Sequence, residues 1–308
     1  MFLGEIAMSI RRRFGASFSP SLIIFCGGVL LSGPLMATEL EPYEFVAAPP
    51  GTTALIGYLV YGDHQSYQPV DGPSITRDTH LDEDLGIARA AQYFDIGTVE
   101  VLVEFLQPFG VLANARIDGE HFANSSGAGD TTLAASVWLM NDKAARRYLG
   151  LTLYLVVPDG AYDRRETINL GGNRMVYDPE LAFHQGFNDR WSFDLSADLL
   201  AYGDNTNAGS ATRQTSSERP TVQLQYFLNY AWPTRVATSI GYEGERGGRE
   251  SLSGVRTDAA TSFDEIRLVN SYAVTPAFQI LGELNHQFSN VGGFKQDFGV
   301  TLRTLYAF

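Results

Sequence analysis

Beyond residue 50, apolar and polar side chains alternate along the chain in runs of about ten residues, the length a tilted strand needs to cross a bilayer. A two-residue period places successive side chains on opposite faces of a strand. Around Trp191 the pattern is clearest: Trp191, Phe193, Leu195, Ala197 and Leu199 share one face, and Ser192, Asp194, Ser196 and Asp198 the other. Val222, Leu224, Tyr226, Leu228 and Tyr230 likewise oppose Gln223, Gln225 and Asn229. One face suits lipid and the other water. No later segment approaches the roughly 18 consecutive apolar residues of a membrane helix.

The pattern predicts strands near 53–61, 83–93, 98–107, 131–140, 148–157, 174–186, 190–202, 221–230, 236–245, 263–272, 277–288 and 296–308. Their connections alternate between long (62–82, 108–130, 158–173, 203–220, 246–262) and short (94–97, 141–147, 187–189, 231–235, 273–276). A Greek-key sandwich has no reason to alternate in this way. An all-β, antiparallel up-and-down transmembrane barrel of about twelve strands does, with short turns in the periplasm and long loops outside. The even count returns both chain ends to the periplasmic side. The polar, glycine-rich long connections are expected to be mobile. In the second strand Arg89 shares parity with Leu85 and Ile87, which fits a two-faced strand poorly.

Residues 1–37 have the order of a secretory signal: Arg11-Arg12-Arg13, an apolar run from Leu22 to Leu31, then Pro34 to Ala37, with cleavage expected after Ala37. Residues 38–52 are expected on the periplasmic side, in the periplasm or entering the barrel mouth, and 53–308 form the barrel. Cys26, the single cysteine, leaves with the signal, so the mature chain holds no disulfide or thiolate. The net charge of −13, with Lys143 and Lys295 the two lysines, argues against nucleic acid as a partner, because phosphate binding needs a basic surface.

Trp191 and Trp232 flank short turns, and with Phe308 they are the expected membrane girdle, where an aromatic ring sits between lipid and water. The terminal Phe308 resembles the signal that outer-membrane barrels present to their insertion machinery. Lipid and lipopolysaccharide are the other expected partners, together with a small-molecule solute.

Several short motifs carry a resemblance: Pro49-Pro50-Gly51-Thr52, Gly127-Ala128-Gly129-Asp130, Pro158-Asp159-Gly160-Ala161-Tyr162-Asp163 and the terminal Phe308. They resemble the outer-membrane proteins grouped as the Putative MetA-pathway of phenol degradation family, in which the second motif usually reads Gly-Leu-Gly-Asp; here Ala128 replaces the leucine. The resemblance implies an outer-membrane channel or transporter without catalytic residues. It is a weak guide to substrate.

The inward-facing positions are acidic: Glu100, Glu104, Asp178, Glu180, Asp194, Asp198, Glu243, Glu265 and Glu283, with Gln223 and Gln225, and with Arg267 and Arg303 as the main basic residues. Such charges persist inside a barrel with water or with partners. Two readings follow: a polar, acidic channel for small molecules, hydrophobic or aromatic ones included, and a lumen filled by interlocked pairs, which would make the barrel a structural or loop-binding protein. Tyr154, Tyr202 and Phe227 would line an apolar path. A lipid hydrolase built on His286 and Ser289 is the third reading. It meets a parity objection, since residues three apart on a regular strand face opposite ways. No cofactor or metal site is expected. His64, His80 and His121 fall in proposed loops, His184 lies inward, and the acidic loop residues Asp63, Asp71, Asp78, Asp82, Glu83, Asp84, Asp118 and Glu120 read more simply as a solvated surface than as a cation bridge to lipopolysaccharide.

Overall fold

The computed structural model describes residues 39–308; the expected signal, 1–37, lies outside them. Twelve antiparallel strands follow the predicted order: β1 (Thr53–Gln68), β2 (His80–Ile96), β3 (Val99–Ile117), β4 (Thr131–Asp142), β5 (Arg147–Val157), β6 (Val176–Gly186), β7 (Trp191–Tyr202), β8 (Thr221–Ala231), β9 (Val236–Arg246), β10 (Ser262–Ala273), β11 (Phe278–Val291) and β12 (Gly293–Ala307). Each pairs with its sequence neighbours, and β1 pairs with β12 to close the barrel. At that seam Thr53 and Phe308 exchange backbone hydrogen bonds of 2.9 Å in both directions. Closure leaves no sheet edge in lipid, where an unpaired backbone group would find no water.

The rim that carries both chain ends has turns at 97–98, 143–146, 187–190, 232–235 and 274–277, and the opposite rim carries the long connections. The apolar half of each alternation faces out: Leu59, Phe105, Leu153, Leu228, Ile240 and Leu284 are all exposed. Trp191 and Trp232 flank Tyr230, with ring centroids 4.8 Å from it on either side, on the periplasmic rim. Trp232 Nε1 donates to Thr238 Oγ1 at 3.0 Å, and Phe308 is exposed at the seam.

Three expectations are corrected. The hairpins of β1 to β3 extend well past the predicted ends, so His64 and His80 lie on strands rather than in a loop. The gap expected between the strands near 277–288 and 296–308 shrinks to Gly292, whose φ of 93° and close approach to Ala260 suit a residue without Cβ. The long connections also carry strands of their own. Asn205–Ala208, Gln214–Glu218, Glu250–Leu252 and Val255–Arg256 form a second, four-stranded sheet over the outer mouth.

The family-like motifs meet at that mouth. Asp130 accepts from Gly160 N through Oδ1 and from Gly172 N through Oδ2, both at 2.8 Å, and Asp159 Oδ1 accepts from Thr131 N at 2.8 Å. A Cβ on Gly160 would stand 2.6 Å from the Gly129 carbonyl carbon. The two motifs therefore fasten the 158–175 connection to the top of β4. That connection turns Ile168 and Leu170 inward onto Tyr67, Leu81, Leu85 and Leu112.

Inside the barrel Phe227 covers Gly241 so closely that a Cβ there would lie 2.2 Å from the ring. Gly241→Val should destabilise the barrel by about 1–3 kcal/mol, read as a lower temperature for loss of the folded, heat-modifiable form in gel electrophoresis.

Candidate functional site in the barrel lumen

The inward half of each alternation is buried. Glu100, Glu104, Asp178, Glu180, Asp194, Asp198, Gln223, Gln225, Glu243, Glu265, Glu283, Arg267 and Arg303 are all buried side chains of the inner face. Arg89 joins them. Its parity with Leu85 and Ile87, a poor fit to a two-faced strand, places all three on the inner face. Here the inner face of β1 to β3 combines an apolar stretch, Leu81, Leu85, Ile87, Leu106 and Leu112, with Glu83, Arg89, Glu100 and Glu104, while β6 to β10 supply a mainly acidic wall. The lumen has two walls of different chemistry.

The segment from Glu39 to Ala47, for which the periplasm was one of the two expected places, runs inside the barrel, and Pro49 to Gly51 are exposed. Leu40 and Phe45 are buried there. Leu40 N donates to Gln225 Oε1 at 2.9 Å, Tyr43 N to Asp194 Oδ2 at 3.1 Å, and Trp138 Nε1 to the Phe45 carbonyl at 3.0 Å. Phe45 also occupies the space a side chain at Gly150 would take, since a Cβ there would be 2.5 Å from its ring. The physical reason is charge complementarity. The segment carries Glu39, Glu41 and Glu44, and each finds an inward arginine. Arg267 Nη2 lies 3.1 Å from Glu39 Oε2, Arg89 Nη2 donates to Glu44 Oε1 at 2.6 Å, and Arg303 Nη1 pairs with Glu41.

Arg267 is the hub. Its Nε and Nη2 hold both oxygens of Glu283 at 2.6 and 3.1 Å, and Nη1 donates to Glu243 Oε2, Gln225 Oε1 and the Leu40 carbonyl at 3.2, 3.1 and 3.2 Å. Its guanidinium carbon stands 5.0 Å from the centre of the Phe227 ring. Arg89 is likewise shared between Glu104 at 2.8 Å and the Tyr58 hydroxyl at 3.2 Å. Elsewhere Asp194 bonds His184 Nδ1 at 2.6 Å, Gln223 Nε2 donates to Glu243 Oε1 at 2.8 Å, and Asn141 Nδ2 donates to Glu100 Oε2 at 2.5 Å.

A second group of carboxylates has no such cation. Glu180, Asp198 and Glu245 form no salt bridge among the described residues, and each keeps one buried oxygen without a hydrogen-bond partner. Glu180 accepts from the Tyr154 hydroxyl at 3.1 Å. A cavity lies between the plug and the apolar stretch, lined by Glu39, Glu41, Tyr58, Ile87, Arg89, Leu106, Arg267, Glu283 and Thr301. Its volume is about 20 Å³, room for on the order of one or two waters.

The four-stranded sheet is tied to the barrel at the outer mouth. Arg174, buried under the four-stranded sheet, donates to Glu218 Oε2 and Ser216 Oγ at 2.8 Å each and lies 3.4 Å from Glu250 Oε1. Burial pushes the Glu218 carboxyl up to about 8, against the opposing pull of Arg174.

The residues of the hydrolase reading take separate partners. His286 Nδ1 bonds the Asp297 carbonyl at 2.6 Å, and the Ser289 hydroxyl bonds Asp264.

These features define an outer-membrane β-barrel with an internal plug. The chain belongs to the family described as Putative MetA-pathway of phenol degradation, whose model matches residues 65–303. Among solved structures it is similar to the COG4313 outer membrane channel from Pseudomonas putida F1, at 26% identity over 88% of this chain and 100% of that one, with a TM-score of 0.82. The translocator domain of the autotransporter NalP from Neisseria meningitidis is a more distant likeness, at 12% identity over 86% and 90% of the two chains and a TM-score of 0.48. No curated protein sequence matches the chain.

Two outcomes are expected. Arg267→Ala leaves Glu39, Glu243 and Glu283 without their shared cation and should cost about 3–5 kcal/mol, with residues 39–52 becoming sensitive to added protease; Arg267→Ala combined with Glu283→Gln should recover part of that loss. For the cap, folded Glu218 holds a proton that the unfolded chain releases between its ordinary 4.5 and about 8. Cap stability is therefore fully present below 4.5 and declines as pH rises, the loss being complete above about 8. Hydrogen exchange in 203–220 and 247–260 should be faster at pH 9 than at pH 6, and Glu218→Gln should remove the Glu218-dependent part of that difference after correction for intrinsic exchange.

Proposed function

We propose that the protein is a gated outer-membrane channel for small solutes, hydrophobic and aromatic ones included, which move passively once the N-terminal segment leaves the lumen. The observation that carries this reading is the nature of the obstruction. The lumen at the level of Arg267 is closed by a chain segment held through exchangeable ion pairs and hydrogen bonds, not by the strands themselves. Ion pairs of this kind have a large desolvation cost that offsets much of their attraction, so a rearranged, hydrated state lies closer in energy than one that would break the barrel.

The apolar stretch on the inner face of β1 to β3 faces this segment. With the plug displaced, an uncharged aromatic solute would meet Leu85, Ile87, Leu106 and Tyr58 on one side and carboxylates on the other. The COG4313 protein is itself described as a channel. The opposing reading, a plugged structural or loop-binding barrel, rests on the filled lumen.

Conductance separates the two. Deleting residues 39–48 should raise single-channel conductance several-fold and admit a small phenol into liposomes; a deletion variant that stays folded yet closed would sink the channel reading. In the opened barrel Asp198→Lys should shift ion preference toward anions, and an unchanged reversal potential would exclude that carboxylate from the path.

A further inference from the structure

Asp63 on β1 and Asp82 on β2 are direct cross-strand partners. His80, two residues before Asp82 on the same strand, shares its face. One ligand-type atom from each of the three side chains lies within 4.8 Å of the other two. His80 Nε2 is 2.9 Å from Asp82 Oδ1, and His80 Nδ1 is 3.6 Å from Asp63 Oδ1. The second oxygen of each carboxylate is engaged from outside the trio: Gln65 Nε2 donates to Asp63 Oδ2 and Asn114 Nδ2 to Asp82 Oδ2, both at 2.7 Å. Two amides thus turn both Oδ1 atoms toward the imidazole, the arrangement by which outer hydrogen bonds orient the ligands of a metal. The three side chains are 18–21% exposed, so they are reachable from solvent yet held in place.

The trio lies on the outward face, away from the lumen. Leu59 and Tyr61 are the preceding outward positions of β1 and are exposed to lipid. Asp63 follows one step higher, about 7 Å along the strand. The cluster therefore stands at the upper edge of the lipid band, where apolar surface gives way to headgroups.

We propose that Asp63, His80 and Asp82 form a binding site for a divalent transition-metal ion of the zinc class on the outer rim of the barrel. Imidazole nitrogen with carboxylate oxygen suits zinc, and hard oxygen-loving cations such as calcium would gain little from His80. Three protein ligands leave a coordination position open toward the headgroup layer, filled by water or another external oxygen. The site is independent of the channel reading, because no residue of it faces the lumen.

Calorimetric titration of the purified full barrel with zinc should give one tight site, and cobalt in its place should give visible absorption bands of a nitrogen- and oxygen-ligated ion. His80→Ala and Asp82→Asn should each weaken binding at least ten-fold. Asn114→Ala, which removes no ligand, should weaken it by about 10- to 100-fold. All variants should keep the wild-type heat-modifiable migration, since the trio is outside the barrel core. Absence of a stoichiometric site, or zinc binding by folded His80→Ala equal to that of the wild type, would overturn the proposal; the second result would assign the metal to carboxylates elsewhere.

Discussion

A buried guanidinium is the contact on which the inner architecture rests. Arg267 is 2% exposed and gathers Glu283, Glu243, Glu39, Gln225 and the Leu40 carbonyl around one planar group. A carboxylate or a guanidinium alone in that position would carry a desolvation penalty of several kcal/mol. Together they hold each other in place, and the fork geometry of arginine lets one residue satisfy several oxygens at once. Because two of its partners belong to the N-terminal segment, the same network that stabilises the lumen also fills it. The plug is part of the electrostatic solution of the barrel interior.

The rest of the molecule is arranged around that filled interior. The wall of β1 to β3, with its apolar stretch, and the mainly acidic wall of β6 to β10 face each other, with the plug between them on the periplasmic side and Ile168 and Leu170 turned in from the outer side. The short glycine-containing motifs have a mechanical explanation here. Asp130 and Asp159 capture backbone N–H groups and the 129–131 strand start, and Gly160 permits a backbone approach that a side chain would block. They fix the outer connection and take no part in lumen chemistry.

The difference between the Arg267 hub and the acidic patch at Glu180, Asp198 and Glu245 separates structure from solute contact. The first is saturated with partners. The second retains buried oxygens without them, which in an opened barrel would be the groups most available to water, ions or a polar part of a solute. Two-sided lumens of this kind can accept molecules that are neither fully polar nor fully apolar.

The alternation of side chains, with the spacing of the connections, was by itself enough for the twelve strands and their order, because the two-residue period of a strand is a local property and the membrane demands one apolar face. Arg89 was visible as a broken pattern, and its parity with Leu85 and Ile87 is that of the inner face. The tertiary structure alone decided the rest. Only closure of the barrel brings Glu39, Glu41 and Glu44 opposite Arg267, Arg303 and Arg89, and only the long β1–β2 hairpin sets Asp63 beside His80 and Asp82. Those meetings join residues distant in the chain or depend on where a strand ends, and a period read along one strand carries no information about either.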